Sequence, residues 1–175
     1  IAVLFGALLA CSAPAWAAED AAQILLKSLA AEATFTGDQV AQAPNQRPAR
    51  MSATVVLATS SPEDLLDTFR TKIDADDAID FVVTADDIRA AKPEPDVLAV
   101  SLAKAELERD RTVVLGDSVW DAKASARAGL PCVALETGGF SRPELESEGV
   151  VAVYRDPADL LDQLDDSPIG ELADS

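Results

Sequence analysis

At 175 residues, the chain suits one domain with a sizeable core and leaves little room for a second. Its formal charge of −17 argues against nucleic acid or an anionic membrane as partner, since both demand a basic surface. The absence of histidine excludes a Ser-His-Asp or Cys-His catalytic centre and any histidine-rich metal site.

Residues 1–17, IAVLFGALLACSAPAWA, are almost wholly apolar and allow two readings. One is a secretory signal, with an apolar stretch, an Ala15-Trp16-Ala17 cleavage site and Cys11 in a loose lipoprotein-type context. The other makes Ile1–Phe5 the first core strand; against the signal, neither an initiator Met nor a basic leading residue stands before the apolar run. Glu19–Glu32 follows as an amphipathic helix with Ala22, Ile24, Leu25, Leu29 and Ala30 on its apolar stripe. From Ala33 to Arg50 the pattern dissolves into a polar stretch, long for a loop inside a domain.

Strands and helices alternate from there. Ala53–Ala58 is a β-branched run of strand length, and Ser61-Pro62-Glu63-Asp64 starts a helix running to about Arg70. Ile79–Val83 reads as a short strand. Lys92-Pro93-Glu94-Pro95 makes a rigid turn, because each proline biases the residue before it to an extended conformation. A helix over about Asp96–Glu108, a strand from Thr112 and a helix over Val119–Ala128 come next; Gly129 and Pro131 end the last of these. The remaining elements are a strand at Cys132–Leu135, a Gly138-Gly139 loop, a short helix near Pro143–Ser147, a strand at Val150–Val153 and a helix at Pro157–Leu164. After Asp165 the composition suggests a frayed acidic tail. Two cysteines, Cys11 and Cys132, give no disulfide framework, and Cys132 in LPCVAL reads as a buried structural thiol.

Strands alternating with helices through short loops imply an α/β fold, a parallel sheet with helices on both faces in three layers. Such sheets bind ligands at the carboxyl ends of their strands. Three ends carry polar groups: Thr59-Ser60, Lys92 beyond the next strand, and Asp117 with Asp121 in GDSVWD. Paired carboxylates suit Mg²⁺, which prefers oxygen ligands; the rival reading is that Asp117 and Asp121 only cap the helix that follows. A hydroxyl, a fixed ammonium and a carboxylate-bound cation together can hold a phosphoryl group and neutralise its developing charge.

In this order the segments VVLATSS, AAKPEPD and GDSVWD resemble the second, third and fourth motifs of the haloacid dehalogenase-like (HAD) hydrolase superfamily. GLPCVAL, TGGFSRPEL and VVAVYRDPADLL are similar to its phosphoglycolate phosphatase-like and phosphoglucomutase-like branch. The resemblance covers about Ala53 to Asp165 and implies a Rossmann-like core at 53–165. It also implies phosphate binding by Thr59 with Ser60 beside it, stabilisation of the transferred phosphoryl group by Lys92, Mg²⁺ binding by Asp117, and support of the metal site by Asp121. The implied substrate is a small phosphorylated metabolite and the implied location cytoplasmic, or exported if residues 1–17 act as a signal.

The family's first motif, DxDGT, should follow the first strand and supply the nucleophilic Asp, yet no Asp precedes Asp20 and AVLF is followed by Gly6-Ala7-Leu8-Leu9. Residues 1–52 therefore read as a degenerate N-terminal segment, too short to hold the usual helical cap, and residues 166–175 as an acidic tail. The expectation is a Mg²⁺-dependent phosphatase scaffold with impaired or absent turnover. The alternatives are a non-catalytic phosphate- or Mg²⁺-binding or interaction module, and a truncated gene product.

Overall fold

A computed structural model describes residues 2–5, 53–59 and 76–173 of the chain. Ser60, Cys11 and the expected helices at Glu19–Glu32 and Ser61–Arg70 lie outside the described residues, as does the segment between the first two strands where a cap would be inserted. Elements are numbered over the described residues.

Six strands form one sheet: β1 (Ala2–Phe5), β2 (Thr54–Ala58), β3 (Phe81–Val83), β4 (Thr112–Gly116), β5 (Cys132–Leu135) and β6 (Ala152–Tyr154). Their order is β3-β2-β1-β4-β5-β6, and every pairing is parallel. This is the doubly wound order, in which the chain reverses direction across the sheet at β1 and leaves a crevice beside that switch point. Of the two readings of the N-terminal residues, the structure carries the strand. Ala2–Phe5 pairs with β2 on one side and β4 on the other.

The sheet is buried on both faces because alternate residues of its strands are apolar toward opposite sides. Val55, Leu57, Val113, Leu115, Val133 and Leu135 join one core, which Leu160 and Ile169 cover from α4 (Pro157–Asp162) and α5 (Pro168–Ala173). Val56, Ala58, Val114 and Cys132 join the other. That second core is covered by Val97, Leu98 and Leu102 of α1 (Asp96–Lys104) and by Ala122 and Ala124 of α2 (Val119–Ala128). The short α3 (Arg142–Glu146) seats Leu145 against Ala134 and Val153. The expected three-layer arrangement is therefore the one observed.

Several boundaries differ from the sequence reading. The helix expected to reach Glu108 stops at Lys104, because Glu106 turns left-handed with φ 52° and the Leu107 N–H returns to the Leu102 carbonyl at 2.9 Å, closing the helix as a C-terminal motif does. The strand expected from Ile79 begins at Phe81; Asp80 spends its carboxylate on the Val55 N–H at 2.8 Å. The strand expected at Val150 begins at Ala152, after Gly149 turns the chain with φ 80°.

The frayed tail is a clear correction. Residues 168–173 form α5, with Ile169 wholly buried and Leu172 packed against the same core. Its acidic composition hid two apolar residues three apart, which fall on one helix face. Ser167, itself buried, accepts the Gly170 N–H at 3.2 Å. Gly170 is required there, since a Cβ would lie 2.3 Å from the Leu164 carbonyl oxygen.

Candidate functional site

The carboxyl ends of β2, β1 and β4 lie side by side, with Phe5 opposite both Leu57 and Leu115. Thr59 and Asp117 each stand two residues beyond those partners, so they flank the end of β1. Thr59 is buried and donates its N–H to the Val83 carbonyl at 2.9 Å, which continues the sheet pairing past β2. Topology thus brings Thr59 to the same edge as Asp117.

Asp117, Asp121 and Lys92 converge there. The β4–α2 turn places both carboxylates below 5% exposure, at 4% each. Neither caps α2. The N-cap is Ser118, whose hydroxyl accepts the Asp121 N–H at 3.2 Å and lies 2.5 Å from Asp121 Oδ2 as a donor. Lys92 Nζ donates to Asp121 Oδ1 at 2.5 Å, with the lysine side chain 11% exposed. Both Asp121 oxygens are therefore engaged, one by an ammonium and one by a hydroxyl. The Lys92 turn is tied down from α2, where Arg127 donates to the Pro93 carbonyl at 3.1 Å and to Glu94 Oε1 at 2.5 Å.

Asp117 is held differently. Its Oδ2 is buried with no hydrogen-bond partner among the described residues. Burial first, and then the charge of Asp121, push its carboxyl up from 3.8 to about 7. Lys92, the backbone N–H of Asp117 and the Thr137 hydroxyl pull the other way without offsetting this. Removal from water disfavours the charged form, and a neighbouring anion adds to that cost.

Two glycines make the packing possible. A Cβ on Gly116 would lie 2.4 Å from Asp121 Cβ. A Cβ on Gly138, in the turn after β5, would lie 2.0 Å from the Asp117 carbonyl oxygen and 2.9 Å from its Cγ. The carboxylates are thus wedged against backbone that only glycine can supply.

Among the described residues no group of three or more His, Cys, Asp or Glu side chains is gathered as a metal cage. Two carboxylates suffice for Mg²⁺, which is usually held by one or two of them and completes its shell with water and phosphate oxygen. A buried carboxylate oxygen without a donor is the feature that fits a hard cation, and Asp117 Oδ2 has it. Cys132 plays no part: burial pushes its thiol up to about 12, so it is an inert core group, as the sequence suggests.

Residues 49–135 match the family described as haloacid dehalogenase-like hydrolase. The chain belongs to that family. Its HAD fold is shared with a hydrolase from Pseudomonas syringae, at TM-score 0.64 and 22% identity over 94% of this chain and 98% of the other. It is shared also with CbbY from Rhodobacter sphaeroides, solved in complex with phosphate, at TM-score 0.59 and 15% identity over 91% and 95% of the two chains. In sequence, the chain is 36% identical over 88 residues to a phosphoglycolate phosphatase of Rhodospirillum rubrum, covering 50% of this chain and 36% of that protein. Over a stretch of the same length it is 30% identical to the validoxylamine A 7'-phosphate phosphatase of Streptomyces hygroscopicus subsp. limoneus, covering 50% and 41%. The chain thus spans about two fifths of the length of these curated relatives. Among the described residues, no helix is long and apolar enough to cross a membrane.

Of the residues the sequence reading singled out, the structure brings Lys92, Asp117 and Asp121 together and Thr59 to the same sheet edge; Ser118, Thr137 and Arg127, which stand around them, were not singled out. Ser118 was within reach, since Ser three residues before an acid at a helix start is an N-cap signal. Thr137 carries no such signal, because only the fold brings the β5 turn against Asp117.

Proposed function

We propose that the chain carries the phosphate- and Mg²⁺-binding half of a HAD phosphatase site for small phosphomonoesters, and that its turnover is impaired. The observation that carries this reading is the pair of buried carboxylates at the switch point: Asp121 locked onto Lys92, and Asp117 with an oxygen left open. Mg²⁺ held at Asp117 would supply positive charge against the phosphoryl oxygens.

The chain's own residues then divide the work. Thr59, at the end of β2, offers a hydroxyl to a phosphate oxygen. Lys92 is immobilised by Asp121 and presents a fixed ammonium to the same group. Preorganised charge of this kind stabilises a phosphoryl group without reorganising during reaction. Asp121 acts through Lys92, since both its oxygens are already engaged. Ser60 would flank the phosphate beside Thr59.

Attack on phosphorus is where the set falls short. In sequence, β1 is followed by Gly6 and Ala7, neither of which can form the aspartyl-phosphate that this family's resemblance implies. Losing a covalent nucleophile removes the main chemical route, so phosphate and cation binding without turnover is the expected behaviour.

The test is Mg²⁺-dependent hydrolysis of p-nitrophenyl phosphate, with Lys92→Ala and Asp117→Asn as controls. Rates equal to background in all three proteins, with Mg²⁺ binding lost only in Asp117→Asn, support the reading. Turnover abolished by both changes would overturn the impaired state and direct attention to Asp20 and Asp38, the two aspartates between β1 and β2 in sequence. Absence of Mg²⁺ and phosphate binding in the parent chain would overturn the site itself.

A further inference from the structure

One buried hydroxyl beside the carboxylates has no part in that scheme. Thr137 lies in the turn Glu136–Gly138 after β5, and its Oγ1 is buried with no hydrogen-bond partner among the described residues. The nearby acceptor in the same condition is Asp117 Oδ2. The two groups interact but stop short of a formed hydrogen bond. Gly138, the next residue, is pressed against the Asp117 backbone so closely that no side chain would fit.

A buried donor and a buried acceptor left open next to each other are each costly, and either would be satisfied by a small rotation or a shared ligand. Nothing in the core calls for a hydroxyl at 137. Valine has the same shape and would leave no polar atom stranded. The position is fixed by the Gly138 contact, so the hydroxyl is aimed by backbone packing rather than by its own bonds.

We propose that Thr137 is a positioning residue for Asp117: its hydroxyl donates to Oδ1 when a divalent cation takes the open Oδ2. This inference rests on the cation-binding reading of Asp117 given above. It assigns the β5 turn a role in orienting the ligand that β4 supplies. Outer partners of metal-binding carboxylates act in this way, and their loss typically weakens metal affinity by 10- to 100-fold.

The experiment measures Mg²⁺ binding calorimetrically, and thermal unfolding in EDTA, on the full chain and its Thr137→Val, Thr137→Ser and Asp117→Asn variants. Thr137→Val is expected to weaken Mg²⁺ about 10-fold or more, with a metal-free melting temperature unchanged or raised because a stranded hydroxyl is gone. Thr137→Ser should restore affinity to within a few-fold of the parent, and Asp117→Asn should abolish binding. A purely structural role would instead lower the metal-free melting temperature of Thr137→Val. That result, or parental Mg²⁺ affinity in Thr137→Val, overturns the proposal while leaving Asp117 as the cation ligand. If the parent and Asp117→Asn bind Mg²⁺ equally or not at all, the cation-binding reading falls and this inference falls with it.

Discussion

Asp117 and Asp121 sit four residues apart, equally buried, and the fold treats them in opposite ways. Asp121 is saturated: Lys92 takes one oxygen and Ser118 the other. Asp117 is left with an open oxygen and a carboxyl pushed up to about 7. Two chemically identical groups at one strand–helix junction thus become a structural anchor and a carboxylate with an unpaired oxygen. Burial alone does not decide which is which. What decides it is whether a cation from elsewhere in the fold has already been assigned to the carboxylate.

The comparison breaks most sharply by mutation. Asp121→Ala leaves Lys92 buried beside Asp117 without its main partner, and removing one member of a buried ion pair costs about 3–5 kcal/mol. Urea unfolding should show that loss as a lower midpoint at unchanged slope. Asp117→Asn should do the reverse at pH 8, where it removes a buried charge one of whose oxygens has no donor; its midpoint is expected to match or exceed the parent's. Equal losses from both changes would mean that the two carboxylates are not differently employed.

Proton linkage sharpens the same contrast. Unfolded, the Asp117 carboxyl titrates at 3.8; folded, at about 7. Between those values the folded state holds the extra proton, so the contribution of Asp117 to stability is full below about pH 4 and is lost as pH rises through 7. At 1.36 kcal/mol per unit the loss is at most about 4 kcal/mol. Metal-free protein should therefore lose stability from pH 5 to pH 8, and Asp117→Asn should lack this component.

Legibility in the sequence follows the same division. Strand alternation, the Ser-Pro and Gly-Pro punctuation and the GDSVWD segment point to the sheet, its layers and the edge that carries Thr59 and Asp117, because those signals are local. The pairing of Lys92 with Asp121 spans 29 residues and was expected only as a common edge, not as a bond. Gly138 reads as part of a Gly-Gly loop and Thr137 only as part of the family-like segment TGGFSRPEL, since their contact with Asp117 exists only once β5 lies beside β4. The closing helix escaped because Ile169 and Leu172 are sparse among acids. Composition averages over the residues that burial selects individually.

Cation binding should flatten the pH trend. Only ionised Asp117 can ligate Mg²⁺, so protons and metal compete for it. Mg²⁺ at about 100 times its dissociation constant adds about 2.7 kcal/mol, and the increment should grow from pH 6 to pH 8 while the metal-free protein weakens. Melting curves with and without Mg²⁺ at both pH values measure it. A pH-independent increment would place the ion away from Asp117.

The smallest effect concerns how the anchor itself is held. Arg127 ties the Pro93 carbonyl and Glu94 to α2 from a half-exposed position, where an ion pair contributes about 0.2–1 kcal/mol. Arg127→Ala should lower stability by no more than that. Its consequence for Lys92 should be larger than its energy suggests, because the Pro93 and Glu94 contacts restrain the segment that delivers the ammonium to Asp121. Phosphate affinity, measured calorimetrically with Mg²⁺ present, should drop several-fold in Arg127→Ala while Mg²⁺ affinity holds. If both ligands weaken together, Arg127 supports the whole edge rather than Lys92. If neither does, the Lys92–Asp121 bond positions the turn without help from α2's far side.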